Sequence, residues 1–133
     1  QGSALEKFQD IIAAQGGDPG VVDNTRLLPE AGMSKIVAAG EKGYVRSLQA
    51  DEIGKAAMLL GAGRRKKDDP IDFSAGIMLH KKVGDPVSEN EPLATLYYNF
   101  PGLADRAGAM VKKAFKISEA SPDPEPLILD ILK

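Results

Sequence analysis

The 133 residues are enough for one domain, and at 43% hydrophobic and 27% charged their composition is that of a globular chain. A net charge of −2 argues against nucleic acid as the main partner, the absence of cysteine excludes disulfides and thiolate metal sites, and no apolar run reaches the ~18 residues of a membrane helix. With 5% aromatics and no Trp, small aliphatic side chains must build most of the core.

The chain opens with SALEKFQDIIAAQGG, which predicts a helix. Ser3 and Glu6 have the spacing of a capping box, Leu5, Phe8, Ile11 and Ile12 share one face, and Gly16–Gly17 supply a left-handed exit. Glu6, Lys7, Gln9 and Asp10 break any apolar stretch, so this is no signal peptide, and a cytosolic origin fits. Gln1–Gly2 read as an added remnant or as the cut end of a longer chain. A one-faced helix must dock, either on this domain or on another.

A loop with two prolines spans 18–29. MSKIVAAGEKGYVRSL predicts a hairpin, with strands near 33–39 and 43–49 and a turn at Gly40–Gly43. DEIGKAAMLLGAG predicts a helix capped by Asp51, with Ile53, Ala57 and Leu60 on one face and Gly61 and Gly63 as its stop. The loop GAGRRKKDDP follows, then a strand region in PIDFSAGIMLHKKV, a turn at 84–86 and a strand near 93–98. From Pro101, GLADRAGAMVKKAFKISEA is amphipathic, with Leu103, Ala107, Met110, Val111, Ala114 and Phe115 on one side. SPDPEP is a tether, and the apolar tail PLILDILK is expected to pair as a last strand.

GYVRSL and KKVGDPVSENEPLATL resemble the strands entering and leaving a lipoyl-type barrel-sandwich, split here by an insert over 49–76. Lipoyl and biotinyl domains present a modified lysine at a hairpin tip. Lys35 and Lys42 are the nearest candidates, but neither has the Asp or Met flanks, so a shared scaffold is the better reading. His80 stands alone, beside Lys81 and Lys82, without a second His or a Cys to complete a metal site. No serine sits in G-x-S-x-G, and the acid pairs Asp68–Asp69 and Asp123–Glu125 read as solvated charge.

GAGRRKKDDP has the composition of an anion site but the wrong grammar. It lacks the P-loop's G-K-[ST] and the third glycine of a dinucleotide fingerprint. Its glycines also close a helix, whereas an anion nest normally opens one. A helix stop, followed by cations at Arg64–Lys67 facing the negative helix end, accounts for most of the pattern.

Four motifs, A-Q-G-G-D, I-G-x-A-A-M-x-L-G-A-G-R, D-x-x-x-G-I-x-L-x-K-K-V-G-D and E-P-L-A-T-L-Y, occur in order from Ala14 to Tyr97. With the closing KISEASPDPEPLILDIL, they resemble the C-terminal part of pyrimidine-nucleoside and thymidine phosphorylases. Asn90 stands where the family's turn often has glycine, a position that needs a left-handed residue. The resemblance implies an α+β fold, an α/β-hammerhead with a barrel-sandwich-like (lipoyl-like) β core and flanking helices. It implies a linking helix from the preceding domain over 1–17 and the family's C-terminal domain over 18–133.

The parent activity it implies is reversible phosphorolysis of pyrimidine nucleosides to base and pentose 1-phosphate, by a cytoplasmic homodimer without cofactor. The family's phosphate- and base-binding segments match no position here, so no catalytic residue or metal ligand is expected in this chain, and it is expected to be inactive alone. The expected partners are the parent's phosphate-binding and helical domains, with phosphate and pyrimidine nucleoside as ligands of the intact enzyme and neither nucleic acid nor membrane. Gly61, Gly63, Arg64, Arg65 and Lys66 are the candidate cleft-edge residues. The alternative is a lipoyl/biotinyl-like binding or scaffold module without enzymatic activity.

Overall fold

The computed structural model describes residues 2–124 together with Ile128 and Asp130. Contacts divide the chain into two units, Gln1–Glu30 and Ala31–Lys133.

In the first unit, helix α1 spans Ser3–Ala14. The expected capping box does not form, because Ser3 is already helical and Gly2, at φ 64°, holds the cap position with no side-chain bond. The Gly2 carbonyl instead accepts the amides of Leu5 and Glu6. The exit is as the glycines predict. Gly16 is left-handed at φ 80° and donates to the Ala13 carbonyl, and Gly17 donates to that of Ile12, which is the Schellman pattern. Asp18 and Asn24 then open two short 3₁₀ turns, Pro19–Val22 and Thr25–Leu27, by accepting the amides of Gly20 and Arg26. No residue of α1 is buried. Leu5, Phe8 and Ile12, with Val21, Val22 and Leu28, line an apolar groove.

The second unit is α+β, with two three-stranded antiparallel sheets in the orders β1-β5-β3 and β4-β2-β6. The strands are β1 Met33–Ala38, β2 Gly43–Leu48, β3 Gly76–Leu79, β4 Pro86–Val87, β5 Pro92–Tyr98 and β6 Phe115–Ser118. β1 and β2 are therefore not the predicted hairpin. Beyond β1 the chain keeps its bonds to the turn before β5, with the Ala39 amide donating to Glu91 O and the Asn90 amide to Ala39 O. That commitment sends β2 into the other sheet. Asn90, at φ 63°, is the left-handed residue its position required.

Residues 115–118 also depart from the helical expectation. Helix α3 ends at Ala114, and Phe115 turns extended at φ −81°, ψ 129°. FKIS then alternates as a strand on β2, with Leu48 opposite Phe115 and Val45 opposite Ile117. The strand region expected over 70–83 narrows to β3, because Asp72 gathers the preceding residues into a turn by accepting the amide and hydroxyl of Ser74. The tail expected as a last strand lies outside the described residues apart from Ile128 and Asp130.

Helix α2, Ala50–Ala57, is led in by Gln49; Asp51, expected as the cap, sits in the first turn and binds Lys55 at 3.1 Å. It packs on α3, Ala104–Ala114, which lies on β1 and β5. The core is aliphatic as composition required: Val37, Val45, Val87, Leu93, Leu96 and Val111 are buried, with Tyr98 and Phe115 the aromatics beside them among the described residues. Ala104, Ala107, Gly108 and Ala114 face inward from α3, so helix and sheet approach closely.

Gly54 is exposed in α2, and a Cβ there would meet nothing within 4 Å. Gly54→Ala is expected to stabilise the chain by about 0.5–1 kcal/mol, through lost backbone freedom in the unfolded state. Urea denaturation followed by circular dichroism measures it; a midpoint moved downward would contradict the open surface at this position.

Candidate functional site

Helix α2 ends in a wider π-type turn, Met58–Ala62, and the break falls at Gly61, whose φ of 113° suits glycine alone. The carbonyl of Gly61 accepts the Asp72 amide at 2.9 Å. Gly63 is extended, at φ −157°, and any residue could adopt that backbone. The stop therefore rests on Gly61. The loop that follows exposes Arg64, Arg65, Lys66 and Lys67.

Asp69 shapes that loop. Its Oδ2 accepts the amides of Arg65 at 3.1 Å and Lys66 at 2.9 Å, and its own amide returns to Lys66 O. The backbone donors that an incoming anion would use are thus held by the loop's own carboxylate. This corrects the reading of Asp68–Asp69 as two solvated acids. Asp69 is half-buried and structural, while Asp68 is exposed. Gly61, Gly63, Arg65 and Asp69 line one cavity of about 260 Å³, floored by Met58 and edged by Phe100. Of the candidate residues, Gly61, Gly63 and Arg65 share this cavity; Arg64 and Lys66 do not line it.

The loop's base is held by a polar network that sequence reasoning missed. Asn99, just past β5, donates from Nδ2 to Asp72 Oδ2 at 2.7 Å and to Ser74 Oγ at 2.9 Å. Its Oδ1 accepts the Gly32 amide at 2.7 Å. The Ser74 hydroxyl, then the Asn99 amide, hold the Asp72 carboxyl below its ordinary range. The D-x-S spacing at 72–74 was a legible signal for the Asp72 turn; nothing local marks Asn99 as its partner.

The remaining candidates separate. Lys35 lies within β1, not at a hairpin tip, and pairs with Asp105, whose carboxylate raises the lysine's pKa chiefly through the hydrogen bond. Lys42 is exposed between β1 and β2. The exposed His80 places Nε2 2.8 Å from Thr95 Oγ1. Among the described residues no group of three or more His, Asp or Glu could hold a metal, and no helix is long and apolar enough to cross a membrane. The better-enclosed ion pair is Lys81–Glu91, at 2.6 Å. Lys81, and then the Ser88 amide, draw the Glu91 carboxyl below its usual range, which fastens the turn between β4 and β5.

Residues 44–118, from β2 through β6 and including the whole loop, match the family described as the pyrimidine nucleoside phosphorylase C-terminal domain. The chain belongs to this family. It is 57% identical over 98 residues to pyrimidine-nucleoside phosphorylase of Bacillus subtilis, covering 74% of this chain and 23% of that protein. The same-named protein of Staphylococcus haemolyticus is 51% identical over 104 residues, covering 78% and 24%, and that of Geobacillus stearothermophilus is 50% identical over 98 residues, covering 74% and 23%. The chain thus spans about a quarter of the length of the curated relatives it matches. The carrier-module alternative is not favoured by these matches.

Proposed function

We propose that this chain acts as the C-terminal, non-catalytic domain of an enzyme that performs reversible phosphorolysis of pyrimidine nucleosides, yielding a free base and a pentose 1-phosphate. The observation that carries the reading is the family match over β2–β6 together with relatives named pyrimidine-nucleoside phosphorylase. In this reading residues 18–133 are the domain, in its finer form an α/β-hammerhead around a lipoyl-like β core, and residues 1–17 are the linking helix from the domain before it. The exposed apolar residues of that helix, Leu5 and Phe8, suit such a docking role. The domain buttresses the parent's phosphate-binding and helical domains in a cytoplasmic homodimer, and no cofactor is called for.

The loop's part is to edge the cleft. Gly61 sets its direction, Asp69 holds its backbone, and Arg64, Arg65 and Lys66 present charge to a phosphate or nucleoside held by other domains. Positioning and charge stabilisation serve a reaction whose sugar becomes cationic between two anionic or electron-rich groups.

The purified chain is expected to show no phosphorolysis of thymidine or uridine, and turnover by it alone would overturn the non-catalytic reading. In an enzyme carrying this chain as its C-terminal domain, Arg64→Ala and Arg65→Ala are expected to raise KM for phosphate or nucleoside roughly three- to ten-fold, with kcat changed less. Unchanged steady-state kinetics in both variants would leave the loop without a part in substrate closure.

A further inference from the structure

Four elements distant in sequence meet at one polar cluster. Gly32 lies where the chain enters the second unit, Asn99 at the end of β5, Asp72 and Ser74 in the turn before β3, and Gly61 at the base of the cationic loop. The bonds run in series: the Gly32 amide to Asn99 Oδ1, Asn99 Nδ2 to Asp72 Oδ2, and the Asp72 amide to Gly61 O. Asp72, Ser74 and Asn99 are all half-buried. Water competes less with the bonds among these three than with the one from Gly32, which is exposed.

The polarity of the cluster is determined. A backbone amide can only donate, so Asn99 must turn its oxygen to Gly32 and its NH₂ to Asp72. Asp72 is acceptor-only when ionised, and both its oxygens are used: Oδ1 by Ser74, and Oδ2 by Asn99. The Asp72 Cβ would also lie 3.3 Å from a Cβ placed on Gly61, so this side chain sits against the point where α2 breaks.

We propose that Asp72 and Asn99 are positioning residues for the 61–70 loop, fastening its base at Gly61 to the entry segment at Gly32. Asp69 orders the loop from within, and the Asp72–Asn99 pair sets where the ordered loop stands on the second unit. The consequence for substrate binding rests on the cleft-edge role proposed above, whereas the order of the loop can be read regardless of that role.

The loop carries four adjacent tryptic sites at Arg64–Lys67, while Lys112 and Lys113 lie in α3. In limited trypsinolysis of the purified chain, Asp72→Asn opposes two NH₂ groups and Asn99→Asp opposes two carboxylates. Each is expected to speed cleavage at 64–67 roughly ten-fold, the size expected for losing a partly enclosed charged hydrogen bond, and to leave cleavage at 112–113 unchanged. The exchanged pair, Asp72→Asn with Asn99→Asp, restores one donor facing one acceptor, keeps an acceptor for Gly32, and is expected to return loop cleavage to within about three-fold of the parent. Unchanged loop cleavage in the single variants, equal acceleration at both sites, or no recovery in the exchanged pair would each overturn the proposal. If a single variant fails to fold, amide hydrogen exchange in the parent chain decides: the Gly32 and Asp72 amides are expected to open together with those of Arg65 and Lys66, and independent opening of Gly32 contradicts the series.

Discussion

Gly43→Ala is expected to be the most damaging single-methyl change in the chain. A Cβ on Gly43 would lie 2.4 Å from the Ser118 carbonyl oxygen, 3.1 Å from its carbon and 2.8 Å from Ile117 Cγ2. Two of these atoms are backbone of β6, and they are held in register by the Tyr44–Ser118 and Val45–Ile117 pairs. The φ of 156° adds strain for any side chain. The strand must therefore move, and with it the ladder joining β2 to β6, which closes the β4-β2-β6 sheet. A loss of roughly 3 kcal/mol or more follows, with a Tm lowered by more than about 10 °C. Thermal and urea denaturation of the purified chain measure it. A variant as stable as the parent would mean that β6 does not lie against Gly43.

Leu96→Ala should come next. Leu96 is fully buried in the central strand β5, between Lys35 of β1 and Ile77 of β3, and under α3. Helix and sheets enclose it, so the vacated space cannot fill by a small shift. About 3–4 kcal/mol is expected from lost apolar transfer plus the residual cavity. Gly108 gives the internal check. A Cβ there would sit 3.7 Å from both Leu96 Cδ1 and Val37 Cγ2, an ordinary contact distance. Adding Gly108→Ala to Leu96→Ala should therefore recover part of the loss, by about 1 kcal/mol, from helix propensity and from the methyl placed towards the cavity. A fully tolerated Leu96→Ala would mean that this is not the centre of the core.

Both effects arise where separate parts of the chain meet, and the same holds for what the sequence did and did not disclose. Local signals were legible wherever the physics is local. Gly16–Gly17 end α1 as predicted, Gly61 ends α2, Asn90 takes the left-handed conformation, and the 84–86 turn leads Val87 into the core. Each depends on a backbone angle that few residues adopt, or on bonds within five residues. The capping box at Ser3 and the cap at Asp51 failed for a related reason. Spacing allowed them, but α1 is capped one residue earlier, at Gly2, and α2 two residues earlier, at Gln49.

Strand partnership was not legible. β1 and β2 have the alternation and the glycine-bearing turn of a hairpin, yet they join different sheets, because each finds its partners far along the chain: β1 in β5, and β2 in β4 and β6. Phe115–Ser118 carries a helical stripe that continues that of α3 and equally a strand alternation. The free edge of β2 decided for strand. Periodicity states what an element can bury, not which element will bury it.

The site shows the same division. From the sequence alone, GAGRRKKDDP could be recognised as a helix stop and a cationic loop, and its motifs as those of a phosphorylase C-terminal domain. Only the tertiary structure showed that Asp69 occupies the loop's own amides, and that Asn99, twenty-seven residues beyond Asp72, holds the turn at its base. The composition determined a small-aliphatic core without metal-binding thiolates, and the glycines determined where helices stop. Which strand lies beside which, and which acid answers which amide, are set by long-range hydrogen bonds whose partners no local pattern encodes.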